Sequence, residues 1–444
     1  MQVFFTNIIA VAFVLGIMVL IHEFGHYAIA KWCGVRVETF SIGFGKRLFG
    51  FRRGETDYRI SVLPLGGYVK MSGENPMEES TGDPGEFMSH PRWQRFLIAI
   101  AGPAMNILFA VAVLTIVYMV HYARPYYLDE PAVIGHVFEN TPAAKAGIQA
   151  GDRIVRIDGI DNPTWQDVIP KVLISPNQPL EVVVQHGAEL QHKTLTPAGI
   201  GTESYGEAGW SPDQPRTVTY VDSGNAADKA GIRVGDDLLA LNGVPIESIP
   251  HMIALLQENK EKPLVITVRR NQQEFKATVI PFFDAAEGQK KFRIGIVSEP
   301  ERVDKLPFRA ALARSIDVNK KNSLLIIELV QKMVRRKISV KQMDGPIGIA
   351  RISGDAARQS GWTPLLTIMS AISLNLGIFN LLPIPILDGG VILLLLIEGL
   401  MRRDINQHFK ERLYQAAFVF LLLFAAMVIL NDIAKIPGLG RYLP

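Results

Sequence analysis

An apolar run near the start of the chain is broken by three ionisable residues at helical spacing. Ile8 to Ile21 carries no charge, His22, Glu23 and His26 follow at once, and Tyr27 to Ala30 resumes the apolar stretch. Ionisable side chains at membrane depth cost about 2.5–3.5 kcal/mol each by insertion scales, so such a cluster marks a functional site. Residues four apart share one face of a helix. His22 and His26 can therefore each offer an imidazole nitrogen to one metal ion, with Glu23 one step round and within reach of a water on that ion. The bland alternative is a pair of core histidines satisfied by hydrogen bonds.

The chain is 444 residues long, enough for about three domain-sized units. Net charge is +3, so no broad basic field points to nucleic acid, and the single Cys33 excludes an intrachain disulfide. Apolar residues make up 48%, and four segments qualify as membrane spans. They run from about Ile8 to Trp32, from Phe96 to about Val120 without a charge, from about Pro364 to Ile397 with interruptions at Pro383, Pro385 and Asp388, and from Leu413 to Leu430. A cleaved signal peptide fits the first poorly, because Met1 to Asn7 carries no positive charge. Lys31, Arg36, Lys46, Arg47, Arg52, Arg53, Arg92 and Arg95 fill the loop between spans one and two. Arg402, Arg403, Lys410 and Arg412 fill that between spans three and four. The positive-inside rule puts both loops in the cytoplasm, with the termini and segment 122–363 outside and the metal motif near the cytoplasmic end of its helix.

That outer segment repeats itself. Ala143, Lys145, Ala146, Gly147, Ile148, Gly151, Asp152 and Gly159 recur 84 residues later as Ala227, Lys229, Ala230, Gly231, Ile232, Gly235, Asp236 and Gly243. A period this long marks two copies of a small domain rather than a solenoid. In each copy a short helix ends at the glycine, a strand follows, and Asp-Gly or Asn-Gly turns the chain. The A-G-I-x-x-G-D pattern resembles PDZ domains, placed at 125–205 and 206–298. Peptide-terminus binding and steric gating are both open, since no carboxylate-binding loop is recognisable in either copy.

Residues 35–70 alternate as strands do, with Gly43-Phe44-Gly45 and Gly66-Gly67 as punctuation, so one or two hairpins should follow the first helix. An open strand edge beside a metal would hold a substrate as an extended chain; the plain alternative is a cytoplasmic hairpin. Residues 308–336 have helical spacing with a basic face, which suits either the membrane surface or a protein neighbour. A catalytic zinc needs a third protein ligand. Asp388 is the only acid between Asp355 and Glu398, and Pro383 and Pro385 break the helix just before it, freeing the carboxylate to turn towards the first span. Asn375 and Asn380 are candidates for contacting substrate or a developing oxyanion, or serve as helix–helix glue. Glu398 is a weaker ligand candidate.

His22-Glu23-x-x-His26, Leu387-Asp388-Gly389, the Gly102-Pro103-x-x-Asn106 element and the two PDZ-like repeats, in this order, together resemble the site-2 protease family over essentially the whole chain. The resemblance implies an α-helical polytopic membrane protein: four transmembrane helices carry the zinc site, and two tandem PDZ-like α+β domains are inserted between the second and third. The expected units are 1–34 with the metal motif, a cytoplasmic-side β-hairpin loop at 35–93, spans at 94–122, 363–399 and 413–432, and an amphipathic helical segment at 299–362. It implies one Zn²⁺ per chain on His22, His26 and Asp388, Glu23 as general base, and substrate or oxyanion contacts from Asn375, Asn380, Gly43, Phe44 and Gly45. It further implies the bacterial inner membrane, with periplasmic repeats and an active site near the cytoplasm. The implied partners are membrane lipid and transmembrane protein substrates, among them an anti-sigma factor and remnant signal peptides, with no nucleic acid.

Two competing readings stand beside this one. The first is a PDZ-bearing membrane scaffold with a non-catalytic metal site, which has no need of a base such as Glu23 beside its histidines. The second is a tethered zinc protease acting on soluble protein, which the apolar setting of the motif disfavours.

Overall fold

The computed structural model describes residues 2–74, 82–200, 205–214, 216–222, 224–284, 291–297, 301–335, 345–358 and 361–434. They form two compact units, one containing residues 1–122, 305–335 and 343–444, the other built mainly from 123–304.

The first unit opens with helix α1 (Gln2–Cys33). It ends where Gly34 takes a left-handed φ of 85°: Gly34 N–H donates to the Lys31 carbonyl and Val35 N–H to that of Ala30. This glycine-dependent cap turns the chain sharply out of the helix. Strands β1 (Val37–Arg53) and β2 (Thr56–Met71) then fold into one small sheet. Residues 37–42 sit between two parts of β2, with Ile42 opposite both Gly67 and Ile60. Residues 67–71 are therefore an edge, and no other strand among the described residues pairs with it. Helix α2 (Arg92–Val120) runs against α1, and the approach is close. A Cβ on Gly25 would lie 2.4 Å from the Ala101 carbonyl oxygen, so only glycine lets the backbones meet there.

The second unit contains two strand-rich modules in tandem. The first has helices α3 (Pro142–Lys145) and α4 (Trp165–Leu173) and a four-stranded sheet whose central strands are Arg153–Ile157 and Leu180–His186. The second has α5 (Ala226–Lys229), α6 (Ile249–Asn259) and a sheet of the same strand order centred on Asp237–Leu241 and Leu264–Arg270. The 84-residue repeat is structural. Ala143 and Ala227, Ile148 and Ile232, and Ile154 and Leu238 occupy matching buried positions. Each of the buried Ile and Leu side chains is worth about 1.5–3 kcal/mol. Asp152 and Asp236 are buried too, each accepting from a backbone N–H three residues earlier. They meet His186 and Arg270, which are themselves 84 residues apart. Ala208 and Trp210 pack into the first core, and Trp210–Pro212 pairs with Ile134–Val137. Residues beyond 205 thus join the first core, in a two-stranded sheet separate from the four-stranded one.

The chain returns to the first unit with α7 (Phe308–Val334), α8 (Pro346–Arg358), α9 (Thr363–Asn380), α10 (Asp388–Met401) and α11 (Gln407–Ala434). The expected amphipathic stretch 299–362 thus holds a strand (Glu301–Asp304) and two helices, with Arg336 outside the described residues. The expected third span is divided: α9 stops at Asn380, and Pro383 and Pro385 occupy the turn before α10. Among the described residues, four helices are long and apolar enough to cross a membrane: Phe5–Cys33, Arg92–Val120, Thr363–Asn380 and Gln407–Ile433. Ser370 and Ser373 of α9 donate to the Ala110 and Asn106 carbonyls of α2 at 2.8 and 2.9 Å, polar ties between apolar helices. Asp432 on α11 accepts the Gly345, Ile347 and Gly348 N–H groups at the start of α8, where a carboxylate satisfies both orphan donors and the helix dipole.

Candidate metal centre

His22 and His26 project from one face of α1, four residues apart, and both are buried. Asp388 begins α10. The turn before it is tight: a Cβ on Gly389 would lie 2.3 Å from the Leu381 carbonyl oxygen, and one on Gly390 2.2 Å from that of Ile384. The glycines allow α10 to fold back on the proline turn, and its first residue arrives opposite α1. His22 Nε2 lies 3.2 Å from Asp388 Oδ2, His26 Nε2 3.4 Å from Asp388 Oδ1, and the two Nε2 atoms are 3.2 Å apart. Tetrahedral zinc with bonds of about 2.0–2.1 Å sets its ligand atoms about 3.3 Å apart. The donor set and its spacing therefore fit Zn²⁺.

The surroundings fix which nitrogens face the centre. His26 Nδ1 donates to the Ile98 carbonyl at 2.7 Å, leaving the Nε2 lone pair for a metal. Asn106 is fully buried; its Nδ2 lies 3.1 Å from His22 Nδ1, and its Oδ1 has no partner among the described residues. Turned half round, the amide gives Oδ1 the Nδ1–H of His22, the tautomer that Nε2 ligation requires. Gly102 lies beneath both imidazoles. The Gly102-Pro103-x-x-Asn106 element thus supports both histidines, a role that sequence reasoning did not give to Asn106 although the motif containing it was noted.

Glu23 is half-buried, and its Oε2 accepts the Val69 N–H of the β2 edge at 3.0 Å. A cavity of about 880 Å³ joins His22, Glu23, His26 and Asp388 to the edge residues Tyr68–Met71. Asn380 also lines it, with Nδ2 3.4 Å from His22 Nε2. Asn375, on α9, is not among the lining residues. Gly43, Phe44 and Gly45 do not line the cavity either. Phe44 instead stacks on Tyr68 with ring centroids 6.0 Å apart, and Tyr68 does line it. Glu398 is buried, but its carboxylate is engaged by Lys410 at 2.5 Å and by Ile405 N–H, so it stands outside the donor set.

The sequence model of peptidase family M50 matches residues 10–424. Among curated proteins, the chain is 31% identical to the regulator of sigma-E protease RseP of Salmonella typhimurium, covering 97% of this chain and 99% of that protein. It is 29% identical to the regulator of sigma-E protease RseP of Escherichia coli and 30% identical to protease RseP of Yersinia pestis. Each of these alignments covers 95% of this chain and 97% of the relative.

Proposed function

The chain belongs to peptidase family M50 and is a membrane zinc metalloprotease, and on that premise we propose that it hydrolyses peptide bonds inside membrane-spanning segments of other proteins. The observation that carries this reading is the converging donor triangle of His22, His26 and Asp388, with a carboxylate base beside it and a strand edge in the same cavity. His22, His26 and Asp388 would hold Zn²⁺, which would supply a Lewis acid for the carbonyl and a water with a pKa of about 7. Glu23 takes the proton from the attacking water and returns it to the leaving amine, and the Val69 N–H keeps its carboxylate aimed at the centre. Asn380 supplies an amide donor for the developing oxyanion. A helical peptide hides its scissile carbonyl in its own hydrogen bonds, so a substrate must be extended before attack. The 67–71 edge offers backbone carbonyls for that, its Val69 and Met71 N–H groups already donating to Glu23 and Glu74, with Gly43, Phe44 and Gly45 supporting it through Tyr68.

The two modules of the outer unit read as PDZ-like domains that exclude substrates with bulky ectodomains. Charge in the short loops places them in the periplasm of an inner-membrane protein, with the metal centre nearer the cytoplasm. Relatives named for regulating sigma-E point to an anti-sigma factor as one substrate, and membrane-retained signal peptides are a second.

The decisive experiment is Glu23→Gln in full-length protein, with zinc content and cleavage of a membrane-spanning peptide measured together. Zinc should be retained and cleavage should fall by at least a factor of 10³. Undiminished turnover would overturn the assignment of the base, and a non-cleaving wild type that holds zinc would favour the scaffold reading.

A further inference from the structure

We propose that His136, Glu247 and His251 form a second zinc site, one that joins the two modules of the outer unit. His136 lies in the first module, on the strand Ile134–Val137. Glu247 and His251 belong to the second, flanking Ser248, whose side chain caps α6 by accepting the His251 N–H. Residues more than a hundred positions apart thus bring two imidazoles and one carboxylate together, with one ligand atom from each lying within 4.8 Å of the others.

The arrangement is built on both sides. The His136 and His251 rings stack with centroids 4.5 Å apart and planes 7° from parallel, and Phe138 packs edge-on against His136 at 4.7 Å. The Glu247 carboxylate meets His136 Nδ1, and Glu247 N–H approaches His251 Nδ1 at 3.4 Å. That nitrogen is therefore an unprotonated acceptor whose lone pair meets the Glu247 N–H, and zinc would take that lone pair over. Two imidazoles and a carboxylate suit zinc; calcium and magnesium prefer oxygen-only sets. Zinc would draw these donors, none more than 4.8 Å apart, to the roughly 3.3 Å of a tetrahedral site, and all three side chains are at least partly exposed. The site is complete only in one relative orientation of the modules, so the ion would select that orientation by mass action. A periplasmic-facing zinc site of this kind would stiffen the filter, separately from catalysis.

The test uses full-length protein in detergent, equilibrated with buffered Zn²⁺ and analysed for bound metal. Wild type should hold two equivalents. His136→Gln, His251→Gln and their double variant should each hold one, with peptide cleavage retained. A His22→Ala/His26→Ala protein should still hold one, and that equivalent should vanish when His251→Gln is added. Fluorescent labels on the two modules should show a narrower distance distribution with zinc in wild type and no change in the double variant. One equivalent in wild type, or two in the His136/His251 double variant, would overturn the proposal.

Discussion

Gly102 of α2 and His26 of α1 are in such close contact that a Cβ on Gly102 would stand 2.3 Å from His26 Nε2, and 2.8 Å from His22 Nε2. The metal-binding face of α1 therefore rests on a position that tolerates hydrogen alone. Gly102→Ala should displace both imidazoles and weaken zinc binding by a factor of ten to a hundred or more, the range seen when support around a metal is lost. Zinc titration of the purified variant measures this, and wild-type affinity in a folded Gly102→Ala protein would contradict it.

Gly43 and Gly45 both adopt left-handed φ, 88° and 91°, on either side of Phe44. Added bulk at Gly43 would also strike the Leu63 carbonyl, whereas Gly45 faces open space. Gly45→Leu therefore changes the loop through its backbone preference, at a cost of about 1–2 kcal/mol, without a collision. It should lower cleavage by shifting Phe44 against Tyr68 while leaving zinc content intact. Unchanged cleavage would remove this loop from substrate handling.

The second unit is built mainly from 123–304. If it filters by size, its excision and replacement by a short linker should widen the substrate range to membrane proteins with folded ectodomains, while cleavage of already trimmed substrates changes little. Comparing cleavage of one transmembrane segment with and without an attached globular domain reads this directly; an unaltered range argues against gating.

Burial works against the charge on Asp236, but Arg270 and the Arg233 N–H more than offset it and hold its carboxyl below the ordinary carboxylate range. A group with a depressed folded pKa contributes stability above its unfolded pKa of about 3.9 and loses it as pH falls through the folded value. The second module should thus lose stability below about pH 4, and Asp236→Asn should flatten that slope. Arg270→Met should cost about 1–3 kcal/mol near neutral pH. Denaturation of the outer unit followed as a function of pH tests both.

Much of the architecture was legible because it rests on local chemistry. Apolar runs long enough to span hydrocarbon, the four-residue spacing of His22 and His26, the prolines before Asp388 and the 84-residue echo of Gly-Asp loops are all properties of short segments. The terminus of the first module was not legible. Trp210–Pro212 belongs there only because it pairs with a strand some seventy residues earlier, and pairing partners are not written into a three-residue stretch.

By itself the sequence determined which helices could lie in a membrane, that two imidazoles would share a face, and that a lone carboxylate waited behind a break in a later apolar segment. Tertiary structure alone decided that Asp388 meets the two imidazoles, that Gly102 and Asn106 lie against them, and that the Val69 N–H meets Glu23. The reason is physical: helical periodicity sets direction within one element, whereas a metal centre depends on distances of about 3 Å between elements. Those distances follow from how closely α1, α2 and the α9–α10 turn can pack, which depends on the glycines where they touch.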